Sequence, residues 1–278
     1  MAETLSELLV QRFGPGIEVP PELARLEALA GIAAHRSLRR FSAEPVPARW
    51  LETLLACALS APSKSDLQQV SIIRVEDARL RAEVAGLLPS MPWVADAPVL
   101  LVFCGDGRRI RRICEARGRA FANDHLDAMF NPAVDAALAM MNFIRAAETA
   151  GLGCCPLSHL RNRAADLSRM LALPPLVFPV AGLVAGFAAR EAPLSPRLPL
   201  SVTVHTDRYD DAHLDEALAA YDRRRAAVQP IAREKQRAPD RFGHVDDYGW
   251  SEDKARQVSE REREDFGRYL RAQGFRLD

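Results

Sequence analysis

The chain has 278 residues, and its 37 basic and 37 acidic side chains cancel to a formal charge of zero. With 48% hydrophobic residues it reads as globular, and the charge balance excludes a strongly basic nucleic-acid binder or an acidic solvating chain. Lys64, Lys235 and Lys254 are the only lysines, so arginine, the better fork for phosphate, carries nearly all of the positive charge.

The N-terminal stretch MAETLSELLVQRFG lacks the basic start and apolar core of a secretion signal. The most apolar runs, 97–104 and 179–187, are too short to span a membrane. The expectation is a cytoplasmic protein with no membrane partner. Cys57, Cys104, Cys114, Cys154 and Cys155 form no C-x-x-C pair and read as reduced thiols, with Cys154-Cys155 either redox-active or, more commonly for such a pair, buried filler.

In chain order, the pattern predicts a helix over 5–13 stopped by Gly14-Pro15-Gly16, then helices over 22–34 and 48–60. Strands follow at 71–75 and at the apolar run 98–103. Asn131-Pro132 reads as a helix start, and the helix to about Ala150 is apolar nearly all round. Such a helix is buried in a core or between subunits, while Asp135, Asn142, Arg145 and Glu148 argue against a membrane span. Residues 151–162 read as a link to a helix capped by Ser158, and 179–187 and 201–205 as strands. A helix over 214–227, a charged loop or arm over 229–248 and a last helix over 259–273 complete the chain. Strands and helices mix without a regular βαβ rhythm, which makes the fold class α+β.

Several motifs fail. Gly105-Asp106-Gly107 follows a strand, yet Ile110 stands where a dinucleotide fingerprint needs its third glycine. The six histidines are scattered, so no zinc site is expected, and no nucleophile has a base beside it. If the chain is an enzyme, its chemistry is expected to belong to a bound cofactor.

Three polar runs stand out. The first, His35-Arg36-Ser37-Leu38-Arg39-Arg40-Phe41, concentrates donors suited to phosphate. The second is Ala61-Pro62-Ser63-Lys64-Ser65-Asp66-Leu67-Gln68, and the third is Gly151 to Asn162. Each alone fits an ordinary polar turn or loop.

Together the runs resemble the nitroreductase family of FMN-dependent oxidoreductases. That family carries H-R-S-x-R-x-F, A-P-S-S-x-N-x-Q, E-x-x-G-L-G (here Glu148 to Gly153) and a later apolar strand. The segment from Ser195 to Tyr209 is similar to K-P-R-L-P-x-S-x-x-V-H-x-x-x-Y of its NADPH-dependent nitroreductase and flavin reductase subgroup. The resemblance spans residues 31 to 278.

It implies a central mixed, mostly antiparallel sheet flanked by helices, in an intertwined homodimer with a C-terminal extension. The implied division is an N-terminal helical extension (1–30), an FMN-binding core (31–212) and a C-terminal arm (213–278). By the same resemblance His35, Arg39 and Arg197 hold the FMN phosphate, and Arg36 and Ser37 the ribityl or ring edge. Ser63, Lys64, Ser65 and Gln68 match the run that meets the flavin from the partner subunit. Pro156, Leu157, Ser158 and His159 match the segment along the ring. This chain departs from the pattern at Ser195, where lysine is usual, at Lys64, where serine is usual, and at His159, where glycine is usual.

The implied reaction is ping-pong. NADPH (or NADH) delivers hydride to flavin N5, and a small-molecule acceptor such as a nitroaromatic, a quinone or free flavin then takes two electrons. Arg233, Arg237, Arg241 and Arg256 are candidates for the NADPH 2′-phosphate. The alternatives are a flavin-binding protein with little turnover and a family member specialised for one metabolite. An arginine-rich RNA-binding chain is disfavoured by the zero charge.

Overall fold

The computed structural model describes residues 3–278. The helices in chain order are α1 (Leu5–Phe13), α2 (Pro21–Ala24), α3 (Glu27–Ala33), α4 (Ala48–Leu59), α5 (Ala78–Gly86), α6 (Arg108–Ala116) and α7 (Asp127–Thr149). They continue with α8 (Ala164–Met170), α9 (Leu200–Thr203), α10 (Leu214–Val228), α11 (Pro239–Phe242), α12 (Trp250–Val258) and α13 (Phe266–Ala272). The strands are β1 (Val70–Arg74), β2 (Val99–Asp106), β3 (Gly153–Leu157) and β4 (Val177–Gly186). Contacts divide the chain into two compact units, one running through His35 and taking in Pro193–Glu262, the other comprising Arg36–Ala192 and Arg263–Asp278.

The second unit is built on the sheet. Its strand order is β1-β2-β4-β3 with every neighbour antiparallel, so the mostly antiparallel expectation holds and the mixed component is missing among the described strands. The central strands β2 and β4 are nearly continuously buried because both sheet faces are covered, which explains their unbroken apolar runs. One face packs on α4 and α7 through Leu54, Ala58, Phe103, Phe143 and Leu183. The other buries Val84, Leu100, Val102, Leu157, Leu160 and Leu167. The glycines of Gly105-Asp106-Gly107 serve packing: a Cβ on Gly105 would stand 2.6 Å from Phe178, and one on Gly107 3.1 Å from Phe275.

In the first unit α1 opens with a capping box, the Thr4 side chain accepting from Glu7 N–H while the Glu7 carboxylate accepts from Thr4 N–H. Leu5 and Leu8 pack there on Ala33. The longer helix α10 pairs with α12, where Ser251 N–H donates to Asp222 at 2.9 Å.

Several expectations are corrected. The helix over 22–34 splits at Leu26, whose backbone is extended. Helix α7 begins at Asp127, so Pro132 lies one turn inside, where it forfeits the bond to the Ala128 carbonyl. Residues 153–157 form an edge strand rather than a link, and its Pro156 is tolerated because an edge position need not donate. Residues 200–203 form a helical turn rather than a strand, and Val204 after it is exposed, with no core to enter. The helix over 259–273 shortens to α13, because the all-charged run 260–265 ahead of it, where Arg263 has φ of 59°, is not helical, and α12 ends before it at Val258. Helix α7 also leaves an apolar stripe open in the single chain: Phe130, Val134, Leu138 and Met141 are all exposed.

Candidate functional site

The sheet unit brings the first and third polar runs together. Leu38 N–H donates to the Cys154 carbonyl at 2.9 Å, and Ser37 bridges Cys154 in parallel, so the run lies along β3. This approach requires glycine at 153, where an added Cβ would meet Leu38 Cδ2 at 2.4 Å. Ser42 N–H then donates to the Phe187 carbonyl at 2.9 Å, which anchors the other end. Buried Leu38 pins the run, while Arg36 and Ser37 are half-buried and Arg39 is exposed. Burial raises the pKa of the Cys155 thiol, and the charge of Arg39 opposes that rise. Of the third run, Pro156 and Ser158 are exposed and His159 is half-buried. The Leu157 side chain belongs to the core, which leaves only its backbone for a ligand.

The second run is held by α7. The Asp135 carboxylate, 2% exposed, accepts from Ser63 Oγ at 2.7 Å, Lys64 N–H at 3.0 Å and Gln69 N–H at 3.0 Å. Ser63 Oγ in turn accepts from Gln68 N–H at 2.7 Å. This clamp supports left-handed backbone at Ser65, Asp66 and Gln68, with φ of 51°, 55° and 51°. Non-glycine residues pay on the order of 1 kcal/mol each in that region, and such strain concentrates at ligand clamps. The Lys64 ammonium donates to Ser65 Oγ at 3.1 Å, and the Gln68 amide to Asp66 at 3.1 Å. The loop borders an open cavity of about 540 Å³ lined by Ala61, Ser63, Asp66, Gln68, Arg109 and Asp135. Arg109 is itself fixed by Asp106 at 3.0 Å and by the Val70 carbonyl at 3.2 Å.

Asp135 and Arg109 escape a reading by motif. The signal for Asp135 is present, a lone carboxylate on the apolar face of a helix, yet in sequence it serves only as an argument against a membrane span.

The remaining two predicted residues lie in the first unit. His35 is half-buried and Arg197 exposed. Both are tied through their backbones to Arg12: Arg197 N–H donates to the Arg12 carbonyl at 2.6 Å, and the Arg12 guanidinium donates to the His35 carbonyl. The four arginines considered for a nucleotide phosphate all have carboxylate partners: Arg233 with Asp246, Arg237 with Asp253, Arg241 with Glu260 and Arg256 with Glu252. Arg256 also donates to the carbonyls of Arg237 and Gly243 and is only 3% exposed, so its role is structural and it is withdrawn as a candidate.

Arginine, imidazole and hydroxyl donors of this kind suit a dianionic phosphate, so the residues present fit the polar end of FMN. Such donors suit a protein whose chemistry is supplied by a bound cofactor. The chain belongs to the nitroreductase family: the Nitroreductase family pattern matches residues 32–187 and the Nitroreductase family, C-terminal domain, residues 195–278. It is 34% identical over 199 residues to an FMN reductase [NAD(P)H] of Bacillus subtilis, covering 70% of this chain and 80% of that one. It is 37% identical over 202 residues to an oxygen-insensitive NADPH nitroreductase of Salmonella typhimurium, covering 70% and 81%. Among solved structures, the NADPH:FMN oxidoreductase from Vibrio harveyi complexed with NAD+ superposes with a TM-score of 0.77 at 30% identity, covering 89% of this chain and 97% of that one.

Proposed function

We propose that the protein is an NAD(P)H-dependent FMN oxidoreductase that reduces nitroaromatics, quinones or free flavin. The observation that carries this reading is the Leu38–Cys154 hydrogen bond, which joins the arginine-rich run and the Pro156–His159 segment along one strand edge. When bound, FMN would supply the two-electron redox chemistry between NAD(P)H and the acceptor. The chain's own residues bind and orient. His35, Arg39 and Arg197 are the phosphate ligands, Arg36 and Ser37 hold the ribityl or ring edge, and Ser63, Ser65 and Gln68 offer polar contacts from a rigid loop. Pro156, Leu157, Ser158 and His159 border the ring, with Leu157 contributing backbone alone. The compact units divide the chain elsewhere than the expected extension (1–30), core (31–212) and arm (213–278): 36–192 group with 263–278, so the expected arm is split at Glu262. The open apolar stripe of α7 supports a homodimer, and reduced thiols suit the cytoplasm.

The test is direct. Purified protein is expected to carry a flavin absorption band, to bleach under argon with NADPH or NADH, and to recover its colour on adding a quinone or nitroaromatic. A colourless protein that takes up no FMN overturns the reading, and a flavoprotein that no nicotinamide bleaches is an inert binder. Lys64 places a cation on the loop that the reading assigns to the flavin. Lys64→Ala is therefore expected to lower the flavin midpoint potential, because a nearby positive charge stabilises the anionic reduced ring; an unchanged potential removes Lys64 from that role.

A further inference from the structure

The family pattern draws one cation of its phosphate clamp from a lysine that this chain replaces with Ser195. The first unit places another cation against that same residue. Arg12, at the end of α1, is only 5% exposed. Its Nε donates to the Ala33 carbonyl at 2.6 Å, one terminal nitrogen to the Ser195 carbonyl at 3.0 Å, and the other to the His35 carbonyl. A buried guanidinium is costly unless its N–H groups are met, and three carbonyl dipoles converging on it offset that cost. The Arg12 carbonyl is itself occupied, accepting from Arg197 N–H at 2.6 Å and from the Arg224 guanidinium at 3.0 Å. The segment 194–197 is fastened on the same side at its other carbonyls. Gln229 donates to Leu194 at 3.1 Å, Tyr221 to Pro196 at 3.1 Å, and Arg224 to Arg197 at 2.5 Å. Arg12 is thus bonded to the backbone on both sides of the clamp, at His35 and at Ser195.

We propose that Arg12 is the positioning residue of the FMN phosphate site, holding His35 and the 195–197 segment in register and supplying the positive charge that the pattern otherwise takes from lysine at position 195. The residue lies ahead of residues 32–187, the segment that matches the family. The proposal rests on the FMN reading above. Its charge acts on the phosphate and leaves the ring alone, which makes the phosphate-free analogue riboflavin the natural control.

The experiment titrates apoprotein with FMN and with riboflavin, following the quenching of flavin fluorescence, in the native chain and in Arg12→Gln, Arg12→Lys and Arg12→Gln/Ser195→Lys. Loss of one charged, hydrogen-bonded positioning group is expected to weaken FMN binding by about tenfold or more in Arg12→Gln while riboflavin changes by less than about twofold. The added lysine of the double variant is expected to restore most of the FMN affinity. Arg12→Lys keeps the charge but not the three directed bonds and is expected to lose about threefold for FMN alone, a result that carries the test if Arg12→Gln does not fold. Equal losses for FMN and riboflavin, or no FMN loss in a folded variant, overturn the proposal while leaving the FMN reading intact. A native chain that binds riboflavin and FMN equally, or neither, overturns both.

Discussion

At the scale of single residues, the strained loop over 63–68 depends on one carboxylate. Asp135, itself buried, receives a hydroxyl and two backbone N–H groups. Asp135→Ala leaves the donors without partners and is expected to cost about 3 kcal/mol. For a chain of this size that is a drop of roughly 6–12 °C in Tm. Melting the apoprotein with and without FMN separates the stability loss from an accompanying loss of flavin affinity, which is expected because the left-handed turns relax. The cysteines follow the opposite logic, a group kept neutral by burial. Burial, then the charge of Asp106, pushes the Cys104 thiol up to about 12. Burial, then Glu148, raises Cys154, and burial raises Cys155 against the pull of Arg39. Only Cys57 and Cys114 are accessible to any degree, so no more than two of the five thiols are expected to react with a disulfide reagent near pH 8 before denaturation. That outcome makes Cys154-Cys155 packing rather than a redox pair. The pH dependence has a defined sign. Above the ordinary thiol pKa of about 8.5 the unfolded chain releases protons that the folded chain keeps. Stability is therefore expected to fall as pH rises from about 8.5 towards 12, read as a declining urea midpoint.

At the scale of elements, α7 does two tasks with two faces. Ala136, Ala139, Phe143 and Ala147 cover the sheet, and the stripe of Phe130, Val134, Leu138 and Met141 recurs at spacings of four, four and three along the other side. A stripe of that regularity, exposed in one chain, is what a second helix covers. Leu138→Glu is expected to shift the protein from dimer to monomer in sedimentation without loss of helical signal, whereas a native chain that is already monomeric refutes the homodimer. The same elements mark what sequence can carry. Strands β2 and β4 are legible because both faces are buried and the apolar run is unbroken. Strand β3 is not, because Gly-Cys-Cys-Pro-Leu has no alternation and becomes a strand only by pairing with β4. The β-branched run at 202–204 misleads in the other direction, since tertiary burial decides strand formation and Val204 is exposed. Within the site, the arginine and serine runs are legible as motifs, but Asp135, Arg109 and Arg12 act through backbone atoms far away in sequence, and no local spacing announces such contacts.

At the scale of the whole molecule, order along the chain and membership of the compact units differ. The last sixteen residues leave the unit that precedes them and complete the sheet unit. Tyr269 hydrogen-bonds Ser168 through its hydroxyl at 2.7 Å, Phe275 packs edge-on against Phe178 at 5.2 Å, and Leu176 N–H donates to the Gln273 carbonyl at 2.7 Å. The C-terminus returns once more, with Leu126 N–H donating to the Asp278 carbonyl ahead of α7. A chain ending at Glu262 exposes Phe178 and discards the burial of Tyr269, Leu270 and Phe275. At about 2 kcal/mol for each large side chain the loss is roughly 6 kcal/mol, comparable with the whole stability of an ordinary domain. The truncated protein is expected to be insoluble or to unfold at a much lower urea concentration. Phe275→Ala, which removes one ring and keeps the backbone, is expected to cost about 3–4 kcal/mol and to remain folded. A truncated chain with the native urea midpoint would contradict the assignment of the C-terminal segment to the core. The graded response of the two variants separates burial of the aromatic side chains from a general need for the segment.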